Sequence, residues 1–350
     1  MSNSEDRLRA AKSFLRRWML VISMTLGVGV FLILYYVPSL SEAEKVYSSL
    51  ARELQPVFVG IMLFLQFNVT APADLKLHRW HARLLLVQAL LFGAFALLAV
   101  ALSGRLGLTA LPQAALLAEC AMLCFICPTA AASGVITSRI GGSLQQGMAY
   151  LLLSDLLATL LIPVIIPLVH PAEGMSYLQR LLVIGERVFS ILVLPCALAW
   201  FIRFVFPGVQ RWLARYLGWA FWVWGISLML AMSLATRSLV LSHTPFWIAV
   251  LIALVALVTC LLQFWMGRKV AGRFGKVESI TSAQVLGQKN TGFLIWLGLG
   301  YLNPVTSVVG GFYAIWQNLV NSWELQQTAD GKHLCRGRHG RLGIRLRREL

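Results

Sequence analysis

The sequence predicts an all-α polytopic membrane protein. Hydrophobic residues make up 58% of the 350 residues and charged residues only 13%. The apolar residues form runs long enough to cross about 30 Å of hydrocarbon. Lys and Arg, which give a formal charge of +16, occur in short blocks between these runs rather than on an aromatic-rich polar surface. A soluble domain is therefore excluded, and nucleic acid is not the expected partner.

Ten transmembrane helices are predicted from the apolar runs. They lie near residues 18–36, 56–70, 83–104, 113–137, 143–169, 183–206, 217–239, 246–267, 280–302 and 304–323. With this count, 23 of the 30 Lys and Arg residues fall on one side, and Lys289 lies within a helix. Basic residues favour the cytoplasmic side. We therefore expect both termini in the cytoplasm and location in the cell inner membrane.

The predicted organisation is a ten-helix domain between two tails. Residues 1–17 are expected to form a cytoplasmic N-terminal tail, and residues 324–350 a basic cytoplasmic C-terminal tail. A solvated or headgroup-bound tail is expected at 330–350, with RNA binding as the alternative. Of the six cysteines, five lie in apolar runs, and all are expected to be reduced.

The ninth predicted helix carries the strongest signal for a functional site. It spans 280–302 and contains Gln284, Gln288, Lys289 and Asn290, followed by Thr291. An ammonium and carboxamides at membrane depth are costly unless they face protein, water or ligand. Helix breaks are expected at Gly287 and Gly292, and such breaks occur where freed backbone groups line a cavity. The alternative is a helix whose polar residues simply pack against neighbours.

The fourth predicted helix is also irregular. Pro128 removes a backbone donor, and Thr129, Ser133 and Thr137 recur every four residues on one face. Gly134 is a second expected break. The alternative is a packing seam of small residues.

The two irregular helices occupy matching places, the fourth and the ninth. The chain divides into five-helix repeats at about 18–170 and about 177–323, and an odd number of spans makes the second repeat inverted. Broken helices at matching places in inverted repeats indicate the central site of a transporter.

Several segments resemble the bile acid:sodium symporter family. CPTAAASGVIT at 127–137 resembles its fourth-helix motif C-P-G-G-x-x-S-N-x-x-T, and GQKNTG at 287–292 resembles G-x-Q-N-S-G. Residues 161–167 and 193–195 are similar to its proline-containing fifth and sixth helices, and FLQFNVTAPADL, within residues 55–75, to its second helix and following loop. The resemblance covers roughly residues 15–323.

The resemblance implies a panel of helices 1, 2, 6 and 7 and a core in which broken helices 4 and 9 cross. It also implies a secondary transporter that moves an organic anion, such as a bile-acid-like molecule, a sterol derivative or a small carboxylate, by alternating access. Members usually couple this movement to two sodium ions bound at the crossing.

The sequence departs from the family at the sodium sites. Gly134, Val285 and Lys289 stand where the family has Asn, Glu and Gln. Sodium needs oxygen ligands, and an ammonium repels a cation. We therefore predict that Lys289 takes the place of sodium and that no resident metal or cofactor is present.

Asp155 is a further candidate for the ion site. It lies on the same helix face as Thr159, four residues later. A pair between Asp155 and Lys289 would couple the site to protons. A separate alternative is a soft-metal site at Cys120, Cys124 and Cys127.

The sequence predicts no enzyme, because it shows no paired catalytic carboxylates, no exposed nucleophile beside a base and no phosphate-binding loop. The lipid bilayer and a small organic anion are the expected partners. The alternative function is a non-transporting receptor or degenerate paralogue that binds a ligand without moving it.

Overall fold

The computed structural model of the protein describes residues 2–107, 109–242 and 244–329. This part of the chain is helical and contains no β-strand. Its α-helices are α1 Ser2–Tyr36, α2 Ser41–Val69, α3 Arg79–Leu102, α4 Pro112–Ile126, α5 Ser133–Arg139, α6 Leu144–Val169, α7 Tyr177–Leu192, α8 Leu194–Val205, α9 Pro207–Ala214, α10 Ala220–Leu241, α11 Phe246–Ala271, α12 Lys276–Gly287, α13 Thr291–Tyr301 and α14 Val308–Ala329.

Five helical segments in the described chain are long and apolar enough to cross a membrane. They are Pro38–Val69, Arg79–Leu102, Leu144–Val169, Leu217–Leu241 and Phe246–Phe274. The pair α7 and α8, bent by 43°, adds a sixth segment if it forms one span. Pro195 stands in the first turn of α8, at the bend. Proline has no N–H to donate to the carbonyl four residues earlier, which interrupts the hydrogen bonds of the helix. The chain is thus a helical membrane protein.

Each predicted segment coincides with one helix or with a consecutive pair of helices. Segment 113–137 corresponds to α4 and α5, segment 183–206 to α7 and α8, and segment 280–302 to α12 and α13. The described apolar part of α1, Val21–Tyr36, and the helices α4 and α13 are each shorter than a full span. The count of ten spans therefore stays a prediction.

The structure describes only parts of the two predicted tails. Residues 330–350 lie outside the described residues, and so do the side chains of 1–17. Helix α14 continues to Ala329, past the predicted boundary at 323, and Glu324 is buried within it. The first six residues of the predicted C-terminal tail therefore belong to a packed helix.

The helices pack in two groups that meet along their length. Helices α1, α2 and α10 contact one another and α8 contacts α2, whereas α11 contacts α4, α12 and α14, and α3 contacts α4 and α6. The two groups touch where α13 lies against α2 and α10, and where α6 lies against α7. This arrangement places both interrupted helices, α4–α5 and α12–α13, in the second group.

Candidate functional site at two helix breaks

The first break follows directly from Pro128. Helix α4 ends at Ile126, and Cys127 takes φ −52° and ψ 128°, the extended conformation that a residue before proline prefers. Helix α5 then begins at Ser133 and has seven residues. The break thus covers residues 127–132.

The second break follows from Gly287, Gln288 and Asn290. Helix α12 ends at Gly287, and Gln288 is extended with φ −89° and ψ 112°. The Asn290 side chain accepts a hydrogen bond from the Phe293 N–H at 3.2 Å and caps the start of α13, as asparagine commonly does at this position. Only residues 288–290 lie between the two helices.

The two breaks lie against each other and pair as a short antiparallel bridge. Thr129 is opposite Lys289. The Ala130 N–H donates to the Gln288 carbonyl, and the Asn290 N–H donates to the Pro128 carbonyl, both at 2.9 Å. Backbone groups that each helix loses at its break are therefore satisfied partly by the other break.

Side chains from neighbouring helices satisfy more of these backbone groups. Gln317 of α14 accepts from the Lys289 N–H at 2.8 Å and donates to the Lys289 carbonyl at 3.3 Å. The Tyr313 hydroxyl donates to the Gly287 carbonyl at 2.9 Å, and Gln88 of α3 donates to the Ile126 carbonyl at 3.3 Å. The sequence predicted that backbone groups freed at the breaks line a cavity. The backbone groups of Ile126, Gly287 and Lys289 are instead hydrogen-bonded to protein side chains.

Two cavities of the described chain lie away from the breaks. One of about 210 Å³ is lined by Ser103, Glu119 and Asn303 among others. A neighbouring one of about 330 Å³ is lined by Gln113, Thr244 and Asn303 among others. Neither is lined by a residue of the breaks. Thr129, Gln288 and Lys289 at the breaks are themselves buried.

Lys289, in the second break, is fully buried, at 0% exposure. Its ammonium lies 3.5 Å from the Phe125 carbonyl oxygen, which is the outer limit of a hydrogen bond. Among the described residues no carboxylate lies within 4.0 Å of it. The ion pair that was expected if Asp155 faced Lys289 is therefore absent, because the ammonium points toward the end of α4.

Asp155 is also buried, with 1% exposure, and neither of its carboxyl oxygens has a hydrogen-bond partner. Thr159 does not complete an ion site here. Its hydroxyl donates to the Asp155 backbone carbonyl at 2.8 Å, which is a bond within one helix turn.

The three hydroxyls predicted to share one face of the fourth segment differ in their hydrogen bonding. Thr129 donates to the Val285 carbonyl at 2.6 Å, and the Ser154 hydroxyl donates to Thr129 Oγ1 at 3.2 Å. Ser133 and Thr137 are equally buried, but their hydroxyls have no partner. Thr129 thus binds the two breaks together, whereas the other two hydroxyls remain available.

The ninth segment's glutamines continue a polar chain toward one end of the molecule. Gln288 donates to the Gln284 side chain, and Gln284 donates to Glu324 of α14 at 2.6 Å. Glu324 forms an ion pair with Arg268 of α11. The half-helix α12 is therefore held on one side by α11 and α14.

The helix is not interrupted at two of the predicted breaks. Gly134 lies in the first turn of α5, and Gly292 lies in the first turn of α13, directly after Thr291. A Cβ at Gly134 would lie 2.7 Å from Leu144 Cδ1, and one at Gly292 would lie 2.7 Å from Gln55 Nε2. These glycines allow close packing and do not interrupt the helix.

Several polar residues at the site were missed by the sequence analysis. They are Gln88, Gln263, Tyr313, Gln317 and Glu324. The signal that could have found them is a polar side chain on an otherwise apolar helix, repeated at helical spacing in α14.

The cysteines were considered above as ligands of a soft metal. Among described residues no three His, Cys, Asp or Glu side chains are grouped as a metal site, which leaves the soft-metal alternative without support.

Comparison with the models of known protein families and with curated proteins gives no match to this chain.

Proposed function

We propose that the protein is a secondary transporter of an organic anion that works by alternating access in the cell inner membrane. The observation that carries this proposal is the pairing of two interrupted helices at their breaks, beside the buried ammonium of Lys289. A buried charge at a helix interruption is a feature of substrate and ion sites in transporters. Ten spans in two inverted repeats, with both termini cytoplasmic, are part of this proposal.

The resemblance to the bile acid:sodium symporter family supports the same interpretation. The segments that resemble its fourth-helix motif and its G-x-Q-N-S-G motif are residues 127–137 and 287–292, and these are the residues at and around the two breaks. The resemblance makes a bile-acid-like molecule, a sterol derivative or a small carboxylate the substrate class.

Coupling in this protein does not use the usual two sodium ions. Gly134 and Val285 offer no side-chain oxygen, and the Lys289 ammonium places one positive charge where the family's loaded site has a net charge of about +1 from its carboxylate and ions. A tethered cation therefore mimics the occupied state. The Gln317 bonds to both backbone groups of Lys289 hold its backbone in place.

The second candidate function is a receptor that binds a ligand without moving it. The observation that favours it is the extent of bonding at the second break, where Gln284, Gln288, Lys289 and Asn290 all have hydrogen-bond partners. A lock of this kind would hold the core in one state.

Counterflow in proteoliposomes distinguishes the two functions. Vesicles are loaded with unlabelled bile acid conjugate or sulfated sterol and then exposed to the labelled compound. A carrier exchanges the two and accumulates label transiently, whereas a receptor shows saturable binding without accumulation. Absence of both exchange and binding for every anion class would contradict both functions.

A further inference from the structure

Asp155 differs from the other buried carboxyl groups of the described chain. Both of its oxygens lack a partner at 1% exposure. Glu44 and Glu324 each pair with an arginine. Glu119 has one unpaired oxygen, but its other oxygen lies 3.5 Å from His170 Nε2. Asp155 alone among these four has no hydrogen-bond or ion-pair partner on either oxygen.

The groups around Asp155 do not compensate a negative charge. The thiols of Cys127, in the first break, and Cys196, in the first turn of α8, lie within electrostatic range of Asp155. Neither thiol carries positive charge. The ammonium of Lys289 is directed at the Phe125 carbonyl.

Charged groups on the other helices packed against α6 are exposed or have partners elsewhere. Glu186 and Arg187 of α7 and Arg139 of α5 are exposed, and Arg180 of α7 donates to the Tyr301 carbonyl at 3.1 Å. On the α3 and α12 sides, the titratable groups His81 and Glu278 bond to Gln146 at the beginning of α6. That residue is nine positions away, which is about 13 Å along the helix.

We propose that Asp155 is a proton-binding site and that the proton is the coupling ion of this transporter. An ionised carboxylate without partners is costly in such surroundings, so the carboxyl is neutral in this conformation. When the surfaces around it separate during alternating access, water reaches the carboxyl and takes the proton. This inference rests on the proposed function and names its coupling ion. It needs no contact between Asp155 and Lys289.

Infrared spectroscopy of the protein in lipid bilayers tests the charge state directly. A protonated carboxyl has a carbonyl stretching band that is distinct from carboxylate bands and shifts in deuterated water. We expect such a band to persist up to about pH 9, to be abolished by D155N and to be unchanged by E119Q. Identical spectra for the native protein and D155N from about pH 5 to about pH 9 would overturn the proposal.

Transport measurements then separate the proposal from the proposed function. The initial counterflow rate of a labelled bile acid conjugate should vary with pH in the native protein and in D155E, by up to about tenfold per pH unit. It should be flat in D155N. Since Asp155 makes no side-chain hydrogen bond, D155N should fold with an unchanged melting temperature. Transport whose pH profile is the same in D155N contradicts proton coupling. Absence of transport in the native protein contradicts the proposed function, while the infrared band still decides whether Asp155 binds a proton.

Discussion

The two helix breaks meet at one point, yet they are built differently. At the second break the polar side chains of residues 284–290 all have partners, and α14 bonds to the backbone on both sides of the interruption. Beside the first break, the hydroxyls of Ser133 and Thr137 in α5 and the carboxyl of Asp155 in α6 are buried without partners. The second break is therefore bonded to its surroundings, whereas unpartnered polar atoms lie beside the first.

The largest effect is expected from removing the support of the second break. The change Q317L leaves the N–H and the carbonyl of Lys289 without partners, and each unpaired buried group costs about 1–3 kcal/mol. We expect the free energy of unfolding in detergent to fall by about 2–6 kcal/mol. N318L is the matched control, because Asn318 bonds only within its own helix. Equal effects of the two changes would show that Gln317 does not support the break.

A smaller effect is expected from separating the two breaks. The change T129V removes the hydrogen bond to the Val285 carbonyl and the bond from Ser154. The side-chain volume is kept, so the loss should be about 2 kcal/mol of unfolding free energy. The same equilibrium unfolding measurement checks it. A stability unchanged from the native protein would indicate that the breaks are held together without Thr129.

The ion pair between Arg268 and Glu324 tests how firmly α12 is held. Arg268 keeps 41% of its side chain exposed, so water screens the pair, and E324Q should cost about 1 kcal/mol. In a double-mutant cycle with R268M, the two changes should be less than additive. Strict additivity would mean that the two side chains act independently.

The smallest effect on stability is expected at the first break. The change S133A removes a buried hydroxyl that has no partner, so stability should stay the same or rise by up to about 1 kcal/mol. Counterflow should nevertheless decrease, because the hydroxyl is then unavailable to an ion or substrate. A clear loss of stability would show that Ser133 has a structural bond, and unchanged counterflow would remove it from the site.

The sequence predicted the helical class and the places of both breaks because proline and glycine act on the backbone locally. In the structure α4 ends at Ile126, two residues before Pro128, and α12 ends at Gly287. The sequence did not predict Gln317 or Tyr313, which contact residues of the second break that lie 28 and 26 positions earlier in the chain. Whether Asp155 faces Lys289 could not be predicted either, since residue spacing gives a helix face but not the direction of a long side chain across a helix contact.

The central claim is that the Lys289 ammonium replaces bound sodium at the crossing. Binding of radioactive sodium to the purified protein tests it without knowledge of the substrate, and K289Q supplies the comparison. We predict no saturable sodium binding to the native protein, unchanged counterflow when sodium is replaced by choline, and either recovered sodium binding or loss of counterflow in K289Q. Saturable sodium binding to the native protein, with K289Q behaving identically, would contradict the account.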